Sequence, residues 1–233
     1  MSAPVSPGRR LALRALTVAA AAAALLATAL PGSAFAHGSV TDPASRAYSC
    51  LKRWENNHQA PDMAAQDPMC AQAWTADPSA MWNWNGLYRE GVKGNHQAAI
   101  PDGQLCSAGR TQSGRYAALD AVGPWKAAPT NRNFSVNLYD QAKHGADYIR
   151  VYITKQGFDA TKQPLGWNDL ELVSQTGNTP ATKWKQAADG GVSISVDANA
   201  GKRTGQHIVY TIWQASHMDQ SYYFCSDVTF PAK

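Results

Sequence analysis

Between Phe134 and Ile212 apolar residues recur at every second position in four short runs: Phe134, Val136 and Leu138; Ile149, Val151 and Ile153; Val192, Ile194 and Val196; Ile208, Tyr210 and Ile212. On an extended backbone successive side chains point to opposite sides, so a period of two marks a strand with one face on a core. Turn formers such as Gly157, Gly190-Gly191 and Gly201 separate the runs. Together they predict an all-β chain folded as a sandwich of half-buried strands. The stretch from about Ser49 to Thr111 lacks that period and is rich in Asn, Gln, Pro, Gly and Trp. It reads as a long irregular insertion with short helices around Ala71 to Trp84, the kind of loop region in which a rigid scaffold carries its binding surfaces.

Residues 1–36 read as an address rather than as part of the fold. Arg9, Arg10 and Arg14 precede an apolar run from Ala15 to Leu30, and small residues at Ala34 and Ala36 suit a signal peptidase. The expectation is a signal peptide over 1–36 and one secreted, extracellular domain over 37–233. A membrane anchor is the weaker reading, because the run is rich in alanine and shorter than the roughly 20 residues that span a bilayer. The Arg9-Arg10 pair leaves twin-arginine export open beside the general route. The leader holds three arginines and no acid of a chain whose net charge is +4. The remainder is therefore nearly neutral, which argues against nucleic acid as a partner. No membrane contact is expected after processing, and the domain is read as a monomer, without repeats or a Ser/Pro/Thr-rich linker.

Four cysteines, Cys50, Cys70, Cys106 and Cys225, form an even set in an exported chain and predict two disulfides. A zinc site is the alternative, but no pair has the short Cys-x-x-Cys spacing. Of the three pairings, Cys50–Cys70 with Cys106–Cys225 is preferred: one staples the irregular region, and the other ties it to the C-terminal strand.

Cleavage after Ala36 exposes an α-amino group on His37, which can then chelate one metal ion through both its amine and its ring. The amine's ordinary pKa of about 7.7–8.0 lets a metal displace its proton near neutral pH. One further imidazole completes a T-shaped set of three nitrogens with open positions, a geometry better suited to copper than to tetrahedral zinc. His144, in the loop between two predicted strands, is preferred modestly over His58, His96, His207 and His217, because neighbouring Ala142 and Gly145 leave space for close approach. Spacing alone does not choose among the five.

Several strings in order carry a resemblance: His37-Gly38-Ser39-Val40, Asp67-Pro68-Met69-Cys70, Met81-Trp82-Asn83-Trp84-Asn85-Gly86-Leu87-Tyr88, Pro101-Asp102-Gly103-Gln104-Leu105-Cys106, His144-Gly145-Ala146-Asp147-Tyr148 and Trp213-Gln214-Ala215-Ser216-His217-Met218-Asp219-Gln220. Over nearly the whole chain after the leader, the sequence resembles the bacterial lytic polysaccharide monooxygenases of auxiliary activity family ten, once described as chitin-binding proteins. The resemblance implies an immunoglobulin-like or fibronectin-III-like sandwich. It also implies one copper ion per chain, held in a histidine brace by His37 and His144. Ala142 would shape the solvent side of the copper, Tyr222 would stand at the axial position where many relatives carry phenylalanine, and Gln220 would steer the oxygen species. Trp82, Asn83 and Asn85 would form the substrate-facing loop, with Trp82 outward and Trp84 buried. Leu51 stands where close relatives often carry tryptophan.

The implied activity is copper-dependent oxidative cleavage of a crystalline β-1,4-linked polysaccharide at C1 or C4, with an external electron donor. Cellulose is favoured over chitin. A hydrolase ranks low, because a pair of carboxylates would have to flank the bond and nothing marks Asp219 and Asp227 as that pair. The rival is a non-catalytic polysaccharide-binding protein. A copper carrier is a third reading, but it has no use for the Trp82 loop.

Overall fold

The structure, a computed structural model, describes residues 37–232. The leader expected over 1–36 lies outside the described residues.

The period-two runs become strands in two sheets. One sheet pairs β1 (Gly38–Asp42), β4 (Asn133–Asp140), β8 (Val192–Asn199) and β7 (Lys185–Gln186) in that order. The other runs β2 (Tyr88–Glu90), β10 (Gln220–Phe230), β9 (Gly205–Ala215), β5 (Ala146–Thr154) and β6 (Leu170–Thr176), with the short β3 (Ala128–Pro129) parallel to the end of β10. Val40, Val136, Leu138 and Val196 face Ile149, Val151, Val209, Trp213, Tyr222 and Phe224 across the sandwich core. The all-β sandwich expectation holds.

One expectation needs correcting. The alternation of Ile208, Tyr210 and Ile212 predicts a half-buried strand, yet β9 is buried on both faces from His207 to Ala215. Its odd-numbered Val209 and Trp213 face the sandwich core, while Ile208, Tyr210 and Ile212 face a second core. That second core belongs to the irregular region, which packs on the outer face of the sheet through Leu51, Trp54, Met69, Trp74, Met81 and Trp125.

The region is also more helical than expected. Beside α3 (Pro68–Ala76) and α4 (Ser79–Trp82), it contains α1 (Arg46–Trp54), α2 (Met63–Gln66) and α5 (His96–Ala99). Helix α1 starts where Ser45 caps it, the serine hydroxyl accepting the Tyr48 N–H. Pro68 opens α3, where its missing N–H leaves no intrahelical bond unmade. Two disulfides, Cys50–Cys70 and Cys106–Cys225, fasten the region to itself and to β10. A buried ion pair does the same: the Arg46 guanidinium grips both oxygens of Asp227 on β10 at 2.7 and 2.9 Å and lies over the Trp125 ring.

Candidate metal centre

The site is assembled where β1 begins. Gly38 pairs with Asp140 at the end of β4, and the Gln141 N–H donates to the His37 carbonyl at 2.8 Å. The loop that follows Asp140 folds around its carboxylate. Oδ1 accepts the N–H of Ala142 at 3.1 Å, and Oδ2 accepts those of His144 and Gly145. The turn needs a left-handed residue at Gly145, φ +69°, where a Cβ would lie 2.6 Å from the Ala181 nitrogen.

The same Asp140 carboxylate accepts from Nδ1 of the buried His144 at 2.8 Å. A carboxylate only accepts, so the proton sits on Nδ1 and the Nε2 lone pair is left for another partner. This is the usual way a carboxylate fixes the tautomer and orientation of a metal-binding imidazole.

Trp213 brings His144, the start of β1 and Tyr222 together. Its indole N–H donates to the Gly145 carbonyl at 2.9 Å, and its ring lies 5.9 Å from that of His144. Its far edge packs so closely on Gly38 that a Cβ there would come within 2.5 Å. Its face stacks on Tyr222 at 4.3 Å. Tyr222 is fully buried, among the described residues its hydroxyl has no hydrogen-bond partner, and burial pushes the phenol pKa up, so it is a neutral phenol at this place.

The other histidines are employed elsewhere or differently. His96 spends both ring nitrogens on the hydroxyls of Tyr223 and Tyr148, and burial lowers its pKa to about 4. His207 is tied to Thr154 and Thr204. His58 stacks on Trp74 in the helical region. His217 is the exception, with its ring centroid 4.0 Å from that of His144.

Gln220 is buried on β10, its amide donating to Glu90 at 2.8 Å while its side-chain carbonyl oxygen has no partner among the described residues. Trp82 is outward, 49% exposed, held edge-on by Trp74 and His58. Trp84 departs from expectation: it is half-buried, packed on the edge of the helical core with its ring between Tyr48 of α1 and Tyr139 of β4. The Asn83 amide donates to the Ser79 carbonyl at 2.9 Å, ending α4. The Asn85 side-chain amide donates to the Gln141 side-chain oxygen at 2.9 Å, and the Asn85 backbone carbonyl accepts the Gly38 N–H at 2.7 Å. Asn85 thus joins the Trp82 loop to the start of β1, while Asn83 shapes the loop itself. Leu51 is buried in the helical core. Asp227 is consumed by Arg46, and Asp219 accepts the Lys93 N–H, so neither is set up as half of a hydrolytic pair.

Sequence reasoning missed Asp140, Trp213, Glu90 and the contact of His217. The Asp140 and His144 spacing of four, astride a glycine-bearing turn, was the one local signal available for the first of these.

Residues 37–228 match the family model described as lytic polysaccharide mono-oxygenase, cellulose-degrading. The chain belongs to this family. Among similar proteins is the LPMO10B structure from Micromonospora aurantiaca, 70% identical with a TM-score of 0.82, covering 83% of this chain and 99% of that one. A second is the structure of CelS2, described as a cellulose-active LPMO in complex with copper, 28% identical with a TM-score of 0.70, covering 84% of this chain and 100% of that one. The chitin-binding protein CbpD of Pseudomonas aeruginosa is 35% identical over 207 residues, 88% of this chain and 50% of that protein. The chain spans about half the length of the curated relatives it matches. Among the described residues no three His, Cys, Asp or Glu side chains gather as a metal site.

Proposed function

We propose that the chain is a copper-dependent monooxygenase that cleaves insoluble β-1,4-linked polysaccharide by hydroxylation at C1 or C4, with cellulose favoured. The observation that carries the reading is His144 with Nδ1 held by Asp140 and Nε2 left over, packed on the same tryptophan as the residue after His37. The donor set fits copper: two imidazoles and, once residues 1–36 are removed, the His37 amine, all nitrogen and three in number. The bound ion would supply one-electron chemistry, reduced by an external donor and reacting with dioxygen or hydrogen peroxide.

The protein's own groups define what surrounds that chemistry. Asp140 keeps the His144 proton on Nδ1. Tyr222, neutral and among the described residues without a hydrogen-bond partner, would present a phenol rather than a charged group to an ion held by His37 and His144. Glu90 pins the Gln220 amide, leaving its carbonyl oxygen as an acceptor beside Tyr222 on β10. The exposed face of Trp82 offers a platform on which a sugar ring can stack. Cellulose is preferred on the family model's description and on CelS2, while the name of CbpD keeps chitin in the comparison. Among the described residues no helix is long and apolar enough to cross a membrane. Export of the chain and action as a monomer belong to the same proposal.

The test is mass spectrometry of soluble products from cellulose and from chitin, with copper and ascorbate, for the processed protein and His144→Ala. Oxidised oligosaccharides from the wild type, absent in the variant, are expected. Adsorption without oxidised products from either polymer would overturn the enzyme reading in favour of a binder. A form that keeps one extra residue before His37 should bind copper much more weakly in calorimetry. Equal affinity would remove the amine from the ligand set.

A further inference from the structure

Three neighbours limit the motion of the His144 ring. Asp140 holds one atom of it, Nδ1, and a single hydrogen bond leaves the ring free to pivot about that contact. Trp213 lies against it from inside, centroid to centroid 5.9 Å with planes 56° apart. The third neighbour is His217, whose ring centroid is 4.0 Å from that of His144 with planes only 32° apart, the closer and more nearly parallel of the two contacts.

Asp140 and Trp213 are wholly buried and belong to the sandwich. His217 is exposed, on the turn between β9 and β10. It walls an open cleft of about 430 Å³ with Lys93, Tyr148, Met218 and Asp219. The turn is pinned beneath it, the Ser216 hydroxyl donating to the His144 carbonyl at 2.6 Å. An exposed imidazole has solvent to satisfy it, so laying its face over a neighbour constrains that neighbour more than it builds core.

We propose that His217 is a positioning residue for the metal site: its ring closes the outer face of His144, removes the pivot that Asp140 leaves, and so aims Nε2 before an ion arrives. The proposal rests on His144 being a ligand. It assigns no proton transfer and no metal bond to His217.

Copper affinity by calorimetry and the Cu(II) electron paramagnetic resonance spectrum test it, on processed protein carrying His217→Ala, His217→Phe or His144→Ala, with melting of the metal-free forms as control. An aromatic pair is worth enough to change an equilibrium by about two- to tenfold. His217→Ala should therefore weaken copper by about that factor and shift the hyperfine pattern. His217→Phe, which keeps a flat ring, should restore both. Melting of the metal-free protein should stay within about 2 °C, as for most exposed substitutions.

His217→Ala indistinguishable from wild type in affinity and spectrum overturns the proposal. So does an equal change in the alanine and phenylalanine variants, since packing would then not be what matters, or a large fall in metal-free melting, which would make the role merely structural. The underlying ligand reading fails separately, if His144→Ala binds copper as tightly as wild type.

Discussion

Gly38→Ala addresses the placement of His37 without touching either histidine. A Cβ at Gly38 would lie 2.5 Å from Cζ3 of Trp213, 3.0 Å from its Cη2 and 2.6 Å from the Tyr139 carbonyl oxygen. Carbon atoms in contact prefer about 3.5–4.0 Å, so roughly 1 Å must be found. Trp213 has nowhere to go, being fully buried, bonded to Gly145 and stacked on Tyr222. The Tyr139 oxygen belongs to the β1–β4 ladder. The start of β1 therefore has to lift, weakening the bond from the Gly38 N–H to Asn85. Overpacking of this kind costs about 1–3 kcal/mol, and a lost hydrogen bond about 1 kcal/mol more. At about 2–4 °C per kcal/mol for a domain of this size, the melting temperature should fall by about 4–16 °C. Copper affinity should fall by about tenfold or more, as when groups that orient ligands are lost. Gly177→Ala is the control, since nothing lies within 4 Å of its Cβ position and its φ is not left-handed. Calorimetric melting and copper titration of both variants give the answer. A Gly38→Ala protein that melts and binds copper like wild type would refute the claim that close approach to Trp213 sets the position of His37.

Asp140→Asn loses the charge that holds Nδ1 and gathers three backbone N–H groups, and copper titration should show binding about 10–100-fold weaker; unchanged affinity would remove Asp140 from the site. The chain-entropy model assigns about 3 kcal/mol to a crosslink across 20 residues and more than 4 kcal/mol across 119. Serine replacement of the Cys106–Cys225 pair should accordingly lower the melting temperature further than replacement of Cys50–Cys70, and the reverse order would contradict it. Burial pushes the Asp120 carboxyl up to about 6 and lowers His96 to about 4. The folded chain thus favours protonated Asp120, whose contribution to stability is lost as pH rises from about 4 to 6. It also favours neutral His96, whose contribution is lost as pH falls from about 6.5 to 4. Asp120→Asn keeps an oxygen for the Ser107 N–H and removes the first slope, so its melting temperature should rise more steeply than that of wild type between pH 4.5 and 6.5. Parallel curves would contradict the assignment.

The strands were legible because Val136, Ile149, Val151 and Ile194 carry their own alternation, and a one-residue slip would turn every one of them outward. Burial on both sides of β9 was not, because what covers Ile208, Tyr210 and Ile212 comes from distant parts of the chain, the helical region with Leu51, Met81 and Trp125 and the segment that carries Leu165 and Trp167. Helix α1 was missed for a related reason: Arg46 sits inside it and is buried, which looks like surface until Asp227 is known to meet it. At the site, His37 and His144 could be chosen on chemistry and resemblance. Their supports could not. Trp213 reads as one more core tryptophan, and only the fold shows that its indole N–H, its edge and its face touch three different parts of the site. Trp84 is expected to be buried, whereas its packing between Tyr48 and Tyr139 leaves it half-exposed where α1 meets β4.

That seam explains why a sandwich of this kind can carry a site at all. The metal-binding candidates belong to the sandwich, through the ends of β1 and β4, while the exposed Trp82 belongs to the helical region on the far sheet. Nothing in either half alone keeps the two in register. The Gly38 N–H to Asn85 bond and the Asn85 to Gln141 bond tie the Trp82 loop to the strand ends within a few residues of His37 and His144. Behind them, Arg46 with Asp227 and the Cys106–Cys225 bridge fix the helical region to β10, the strand that carries Gln220 and Tyr222. The exposed Trp82 and the proposed ligands His37 and His144 are therefore referenced to the same two strands, β4 and β10. A disturbance of either should be felt at both.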